Sequence, residues 1–158
     1  MREILFRAKR IDNGEWVEGF YSQLPKPSLG ATIITNGDLC AEDVSDYIIV
    51  NQCKQHSNFS NGYPLEVVEC EYYEIDSETI CQYTGLKDKN GNRIWGNDII
   101  RVENSVDEGT GNVEFFEGIW YVDGEPSNSL YDIAEYDDTA EIEVIGNIFD
   151  NPELLKRE

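Results

Sequence analysis

Residues 82–102, QYTGLKDKNGNRIWGNDIIRV, gather the side chains best placed to do chemistry: Lys87, Asp88, Lys89, Asn90, Arg93 and Asp98, set around Gly85 and Gly91. Three chemistries use such sets. A calcium loop opens as Asp88-Lys89-Asn90 does, but it needs glycine at its sixth position and glutamate at its twelfth; these are Arg93 and Ile99. A phosphate loop needs GxxxxGK[ST] between a strand and a helix, and this stretch has neither the spacing nor the helix. A basic turn of Lys87, Lys89 and Arg93 on an acidic body suits a phosphate or a carboxylate. Asn-Gly turn chemistry accounts for the same residues with no ligand at all. The expectation is therefore a structural hairpin motif of Gly85, Asp88, Asn90, Gly91 and Asp98. In it Lys87–Asn92 form an exposed turn, Asp98 bonds to backbone, and Ile94 and Ile99 are buried. Ile99–Val102 start a strand expected to pair with Asn112–Phe116.

Other constellations are thinner. His56 is the only histidine, with Cys53 three residues before it, and no second Cys-His pair completes a tetrahedral metal shell. A Cys-His nucleophile would need a third, orienting group. Asp137, Asp138, Glu141 and Glu143 are carboxylates of the right type for a divalent cation, yet adjacent strand residues point to opposite faces. No catalytic residue, metal ligand or cofactor is assigned on this basis. Trp16, Trp95, Trp120 and Tyr121 fall on both sides of alternating patterns, so some are expected at the surface.

The elements that position these residues read as short strands. REILFRAKRIDNGEWVEGFY alternates on both sides of Asp12-Asn13-Gly14 and predicts a hairpin, with Ile4, Phe6 and Ala8 facing one way. Leu24–Ser28, with two prolines, is expected to break regular structure. ATIIT and DYIIVNQC read as strands, 57–64 as a loop, 65–75 as one strand, and Asp76–Thr79 as a turn or a single helical turn. GNVEFFEGIWYVDG predicts a hairpin turning at Glu117-Gly118. Glu141–Phe149 is the last strand, with Gly146 as a bulge, and Asp150-Asn151-Pro152 starts a short C-terminal helix that Leu154 and Leu155 tuck inward. Many short strands, no long helical period and no repeat predict a small barrel or sandwich.

The 158 residues suit one domain or two small subdomains, divided near 1–75 and 76–158. No apolar run reaches membrane-span length, and residues 1–10 leave no room for a signal peptide. With no export signal expected, the four cysteines read as reduced thiols in a cytoplasm. Formal net charge is −20, unevenly spread: Val102–Leu155 hold 15 acidic residues and no Lys or Arg. Residues 1–10 carry four basic residues against Glu3. Like-charge repulsion disfavours direct nucleic-acid binding by the acidic part. Crowded carboxylates are expected to titrate high, so that acidification and salt stabilise the fold.

Three blocks, REILFRA, QYTGLKDKNGNRIWGNDIIRV and EVIGNIFDNPELL, resemble the YopX family of small phage- and prophage-encoded proteins, in order and spacing over nearly the whole chain. One departure is Gly96-Asn97-Asp98 where that family usually reads Glu-Gly-Asp; the Asp is kept, the Glu is not. The resemblance implies a mainly β fold with an N-terminal β-hairpin region, a small SH3-type barrel in the C-terminal part and a short C-terminal helix. It implies no reaction. The functional expectation is a non-enzymatic module that binds a host or phage protein through an acidic surface including Glu135, Asp137, Asp138, Glu141 and Glu143. No direct nucleic-acid or membrane contact is expected, and self-association is left open. The alternatives are a nucleic-acid mimic that inhibits a DNA-binding protein, and a small metal-assisted hydrolase.

Overall fold

A computed structural model describes residues 3–25, 44–50, 54–60, 63–69, 71–105, 108–123, 129–136 and 139–155, with side chains left undescribed at 25, 54–60, 63–69 and 136. The expected strand ATIIT, Asp137, Asp138 and three of the four cysteines lie outside the described residues or side chains, as does the His56 imidazole. What is described is mainly β and antiparallel, and it divides into two compact units.

The unit Leu5–Ile80 holds β1 (Phe6–Lys9), β2 (Trp16–Pro25), β3 (Val44–Ile49), β4 (Lys54–Ser60), β5 (Tyr63–Glu69) and β6 (Tyr72–Glu74). Strands β6, β3, β2 and β1 lie side by side in that order, and β4–β5 form a separate hairpin. Asn13-Gly14 makes the first turn as expected. Gly14 takes a φ of 73°, and Asn13 Oδ1 accepts the Glu15 N–H at 2.9 Å. Alternation then sends Ala8 inward to Ile48 and Ile75, with Phe6, Val17 and Ile80 packed around them, while Ile4 stays exposed.

Three expectations are corrected here. Strand β2 continues through Leu24 and Pro25; proline stands at its last position, where a missing N–H removes least from the ladder. Residues 57–64, expected as a loop, belong mostly to the β4–β5 hairpin, paired from Lys54↔Glu69 to Ser60↔Tyr63. Residues 65–75 are two strands, because β5 pairs with β4 whereas β6 pairs with β3. A single 3-10 turn at Ser77–Thr79 follows, its Glu78 N–H accepted by Asp76 Oδ1 at 3.1 Å.

The second unit, Cys81–Glu158 with Met1–Ile4, holds β7 (Cys81–Lys87), β8 (Arg93–Trp95), β9 (Asp98–Glu103), β10 (Glu108–Phe116), β11 (Ile119–Val122), α1 (Leu130–Tyr136) and β12 (Glu141–Asn147). One sheet runs β11-β10-β9-β12, and β7–β8 form a hairpin. Ile94, Ile100, Val113, Val122, Leu130 and Ile142 make the core. The strand order is open, and the described residues form no closed barrel.

Strand β9 does not pair with Asn112–Phe116 as a block. It pairs with Glu108–Asn112, and Val113–Phe116 pair with β11 instead. The cause is local: the Asn97 N–H takes Val113 O at 2.7 Å, so the turn before β9 ends that ladder. Glu117-Gly118 turns the next hairpin as expected, both with positive φ. Helix α1 was not expected, since seven residues are too few to show a period. Its buried Leu130 and half-buried Ile133 anchor it to the core. The C-terminal helix is one 3-10 turn, Pro152–Leu155, that buries none of its residues fully. Gly146 is the expected bulge: the β12–β9 register shifts there, and a Cβ would lie 2.7 Å from Asn151 Oδ1.

A Cβ added at Gly19 would lie 2.2 Å from the Ile49 carbonyl oxygen, whereas one at Gly109 meets nothing within 4 Å. Gly19→Ala is expected to cost about 3 kcal/mol and Gly109→Ala less than about 0.5 kcal/mol, read from urea unfolding.

Candidate functional site

The 82–102 block begins with a bulge. Tyr83 pairs with Trp95 and Lys87 with Arg93, and the register shifts between them around Gly85 at φ 93°. Thr84, buried in the bulge, donates its hydroxyl to Ile94 O at 2.7 Å and accepts the Leu86 N–H at 3.1 Å. Ile94 and Ile99 are buried as expected, and Trp95, on the opposite face from its neighbour Ile94, is buried too.

Asp88 is the first correction. It was expected in an exposed turn, and Lys87, Lys89, Asn90, Gly91 and Asn92 are exposed, but Asp88 is buried. Its Oδ1 accepts from the Asn90 and Asn92 N–H groups at 2.9 and 2.8 Å. Its Oδ2 accepts from Asn92 Nδ2 at 3.1 Å and from the Val144 N–H at 3.2 Å. The Lys89 N–H donates to Ile142 O at 2.8 Å. The turn therefore caps the outer edge of β12, with a carboxylate oxygen standing where a neighbouring strand would offer a carbonyl. Burial alone would raise the Asp88 pKa; the four hydrogen bonds outweigh it and hold the carboxyl below its ordinary range.

Asp98 behaves as expected. Its Oδ2 accepts the Trp95 N–H at 2.8 Å and closes the turn. Between them Asn97 adopts a φ of 66°, the left-handed conformation that asparagine tolerates best after glycine. That explains how Asn97 replaces the glycine of the pattern Glu-Gly-Asp. The Gly96 N–H donates to Gln82 O at 2.9 Å, and Asn97 O accepts from Ile148 N at 3.1 Å. Both aspartates of the motif are thus engaged by backbone.

The cations of the turn are also engaged. Lys89 Nζ lies 3.3 Å from Glu141 Oε2 and 3.3 Å from Glu143 Oε2, and these two carboxylates raise its pKa. Glu141 and Glu143, two apart on β12, therefore share a face. Arg93 lies 3.5 Å from Glu3 and stacks over Tyr83. Glu135 is exposed on α1. Asp137 and Asp138 lie outside the described residues.

Register assembles an acidic row that charge counting did not locate. Glu141 pairs with Glu103, which pairs with Glu108, placing three glutamates side by side across β12, β9 and β10. Like charges opposite one another destabilise a sheet. Here Arg101 offsets them from the next row, its Nε 3.2 Å from Glu108 Oε1, and Lys89 offsets them from the turn. The signal that would have found the row was the pairing of β9 with 108–112. Among the described residues no three His, Cys, Asp or Glu side chains are arranged to hold a metal ion.

The sequence matches the YopX protein family over residues 5–156. This chain belongs to the YopX family. The crystal structure of protein EF1440 from Enterococcus faecalis is similar to it with a TM-score of 0.53 at 23% identity, covering 99% of this chain and 100% of that one. That likeness supports the fold. No curated protein matches. Among the described residues no helix is long and apolar enough to cross a membrane.

Two carboxylates are held below their ordinary range by hydrogen-bond donors: Asp12 by Arg10, and Asp88 by its turn and Val144. A lowered folded-state pKa contributes stability that is present above the ordinary carboxylate range and lost as pH falls through the folded value. Stability of the 81–158 unit, followed by tryptophan fluorescence in urea, is expected to fall on acidification below that range, and Asp88→Asn to flatten that fall. Asp98→Ala is expected to cost about 1–3 kcal/mol, and Lys89→Ala less than about 1 kcal/mol, by the same measurement.

Proposed function

We propose that this YopX-family chain is a non-enzymatic phage or prophage accessory protein that binds a basic partner protein through its acidic sheet face. It acts in the cytoplasm of the bacterial host. The observation that carries this reading is the Glu141–Glu103–Glu108 row, in a stretch, Val102–Leu155, that contains no Lys or Arg of its own, with Arg101 and Lys89 supplied from outside it. Asp88 and Asp98, the carboxylates whose setting looked most like a site, spend their oxygens on backbone N–H groups, which supports a structural rather than a chemical role. We read the strands of the second unit as an open form of the SH3-type barrel that the sequence resemblance implies.

The test is binding of a fluorescent lysine-rich peptide at rising salt. The wild type is expected to bind it at low ionic strength and to lose about ten-fold or more in affinity across a few-fold rise in salt. Glu103→Gln/Glu108→Gln/Glu141→Gln is expected to weaken binding at low salt. A wild type that binds no basic peptide at low salt contradicts the reading.

A further inference from the structure

We propose that the tip of the β10–β11 hairpin docks an extended partner segment in which apolar and cationic side chains alternate; this rests on the acidic-surface reading and specifies where it acts. Val113 O accepts from Asn97, so the Val113 backbone faces the β9 side. Alternation turns the Phe115 backbone the same way, beyond the last β9–β10 pair at Asn112↔Ile99. Phe115 pairs across the ribbon with Trp120 at a position between the Glu114 and Phe116 rows, and its N–H and C=O have no partner among the described residues. An open strand edge of this kind takes an extended chain.

Side chains at the same place favour an apolar contact. Phe115 is 56% exposed, Phe116 55% and Ile119 45%. Phe115 stacks on Trp120 with ring centroids 4.7 Å apart, on one face of the ribbon; Phe116 and Ile119 pair on the other. A projecting ribbon with aromatic or branched apolar groups on both faces leaves neither face as its solvent side. Beside it lies an open depression of 410 Å³ lined by Asn97, Glu114, Phe115 and Phe116. The Trp120 ring that Phe115 stacks on packs against the core cluster, with its Nε1 buried and without a hydrogen-bond partner among the described residues.

Charge decides the occupant. Glu114 and the turn residue Glu117 flank the aromatic rings, and no Lys or Arg occurs from Val102 to Leu155. A second copy of this chain would bring a formal charge of −20 against the same sign. A segment with Lys or Arg alternating with Leu or Phe places its cations at Glu114 and Glu117 and its apolar groups on the rings.

Two labelled peptides of equal length and lysine content test this by fluorescence polarisation: one alternates Lys with Leu, the other Lys with Ser. Phe115→Ser and Phe116→Ser/Ile119→Ser replace exposed side chains, and circular dichroism checks that both variants fold. The wild type is expected to prefer the Lys-Leu peptide by about ten-fold, and each variant to lose that preference. The Trp120 indole N–H signal is expected to shift on binding while that of buried Trp95 holds still. Equal binding of both peptides overturns the hairpin site and leaves the acidic-surface reading standing. Binding of neither peptide at low salt overturns the acidic-surface reading itself and this proposal with it. A concentration-dependent dimer that Phe116→Ser/Ile119→Ser dissolves makes the occupant a second copy and overturns the proposal.

Discussion

A carboxylate that replaces a strand holds the C-terminal unit together. Strand β12 ends its sheet, and an uncovered edge offers N–H and C=O groups to any passing chain. The turn after β7 covers that edge with two bonds, Lys89 N–H to Ile142 O and Val144 N–H to Asp88 Oδ2. The second works only because Asp88 is already fixed by Asn90 and Asn92 within its own turn. A side chain thus joins the β7–β8 hairpin to the four-stranded sheet. The same geometry delivers Lys89 to Glu141 and Glu143, so the cation arrives where register crowds glutamates.

Seen this way, the basic turn and the acidic strands belong to one arrangement. The formal charge of −20 is not compensated globally, but the row at Glu141, Glu103 and Glu108 is offset locally by Lys89 and Arg101. In the other unit the basic N-terminal strand is spent in a similar way: Arg7 and Lys9 stack over Trp16, and Arg10 over Tyr73. The β10–β11 tip differs from both. Its glutamates flank exposed aromatic rings rather than a lysine or arginine of the same stretch.

Turn chemistry was the most legible part of the sequence. Gly14, Gly91, Glu117-Gly118 and Asp98 each announce their role within three or four residues, and the structure places them accordingly. Gly146 was legible for the same reason, as a glycine interrupting an alternating strand. Asp88 was misread because its deciding partner, Val144, lies 56 residues away. The β9 partner was misread because a turn residue, Asn97, takes the carbonyl that a longer ladder would have used. Helix α1 carries too few residues to show a period, and the β4–β5 hairpin is too polar over 54–60 to show alternation. The acidic row depended on register across three strands, which no local pattern encodes.

Amide hydrogen exchange at neutral pH, compared between the wild type and Asp88→Asn, tests the edge-capping role most directly. The substitution keeps the side-chain shape and removes the charge that draws the N–H groups together. If Asp88 caps the sheet, Val144 and Asn92 lose protection together in the variant, while Ile48 in the other unit keeps its own. Val144 exchanging as slowly in the variant as in the wild type would contradict the account.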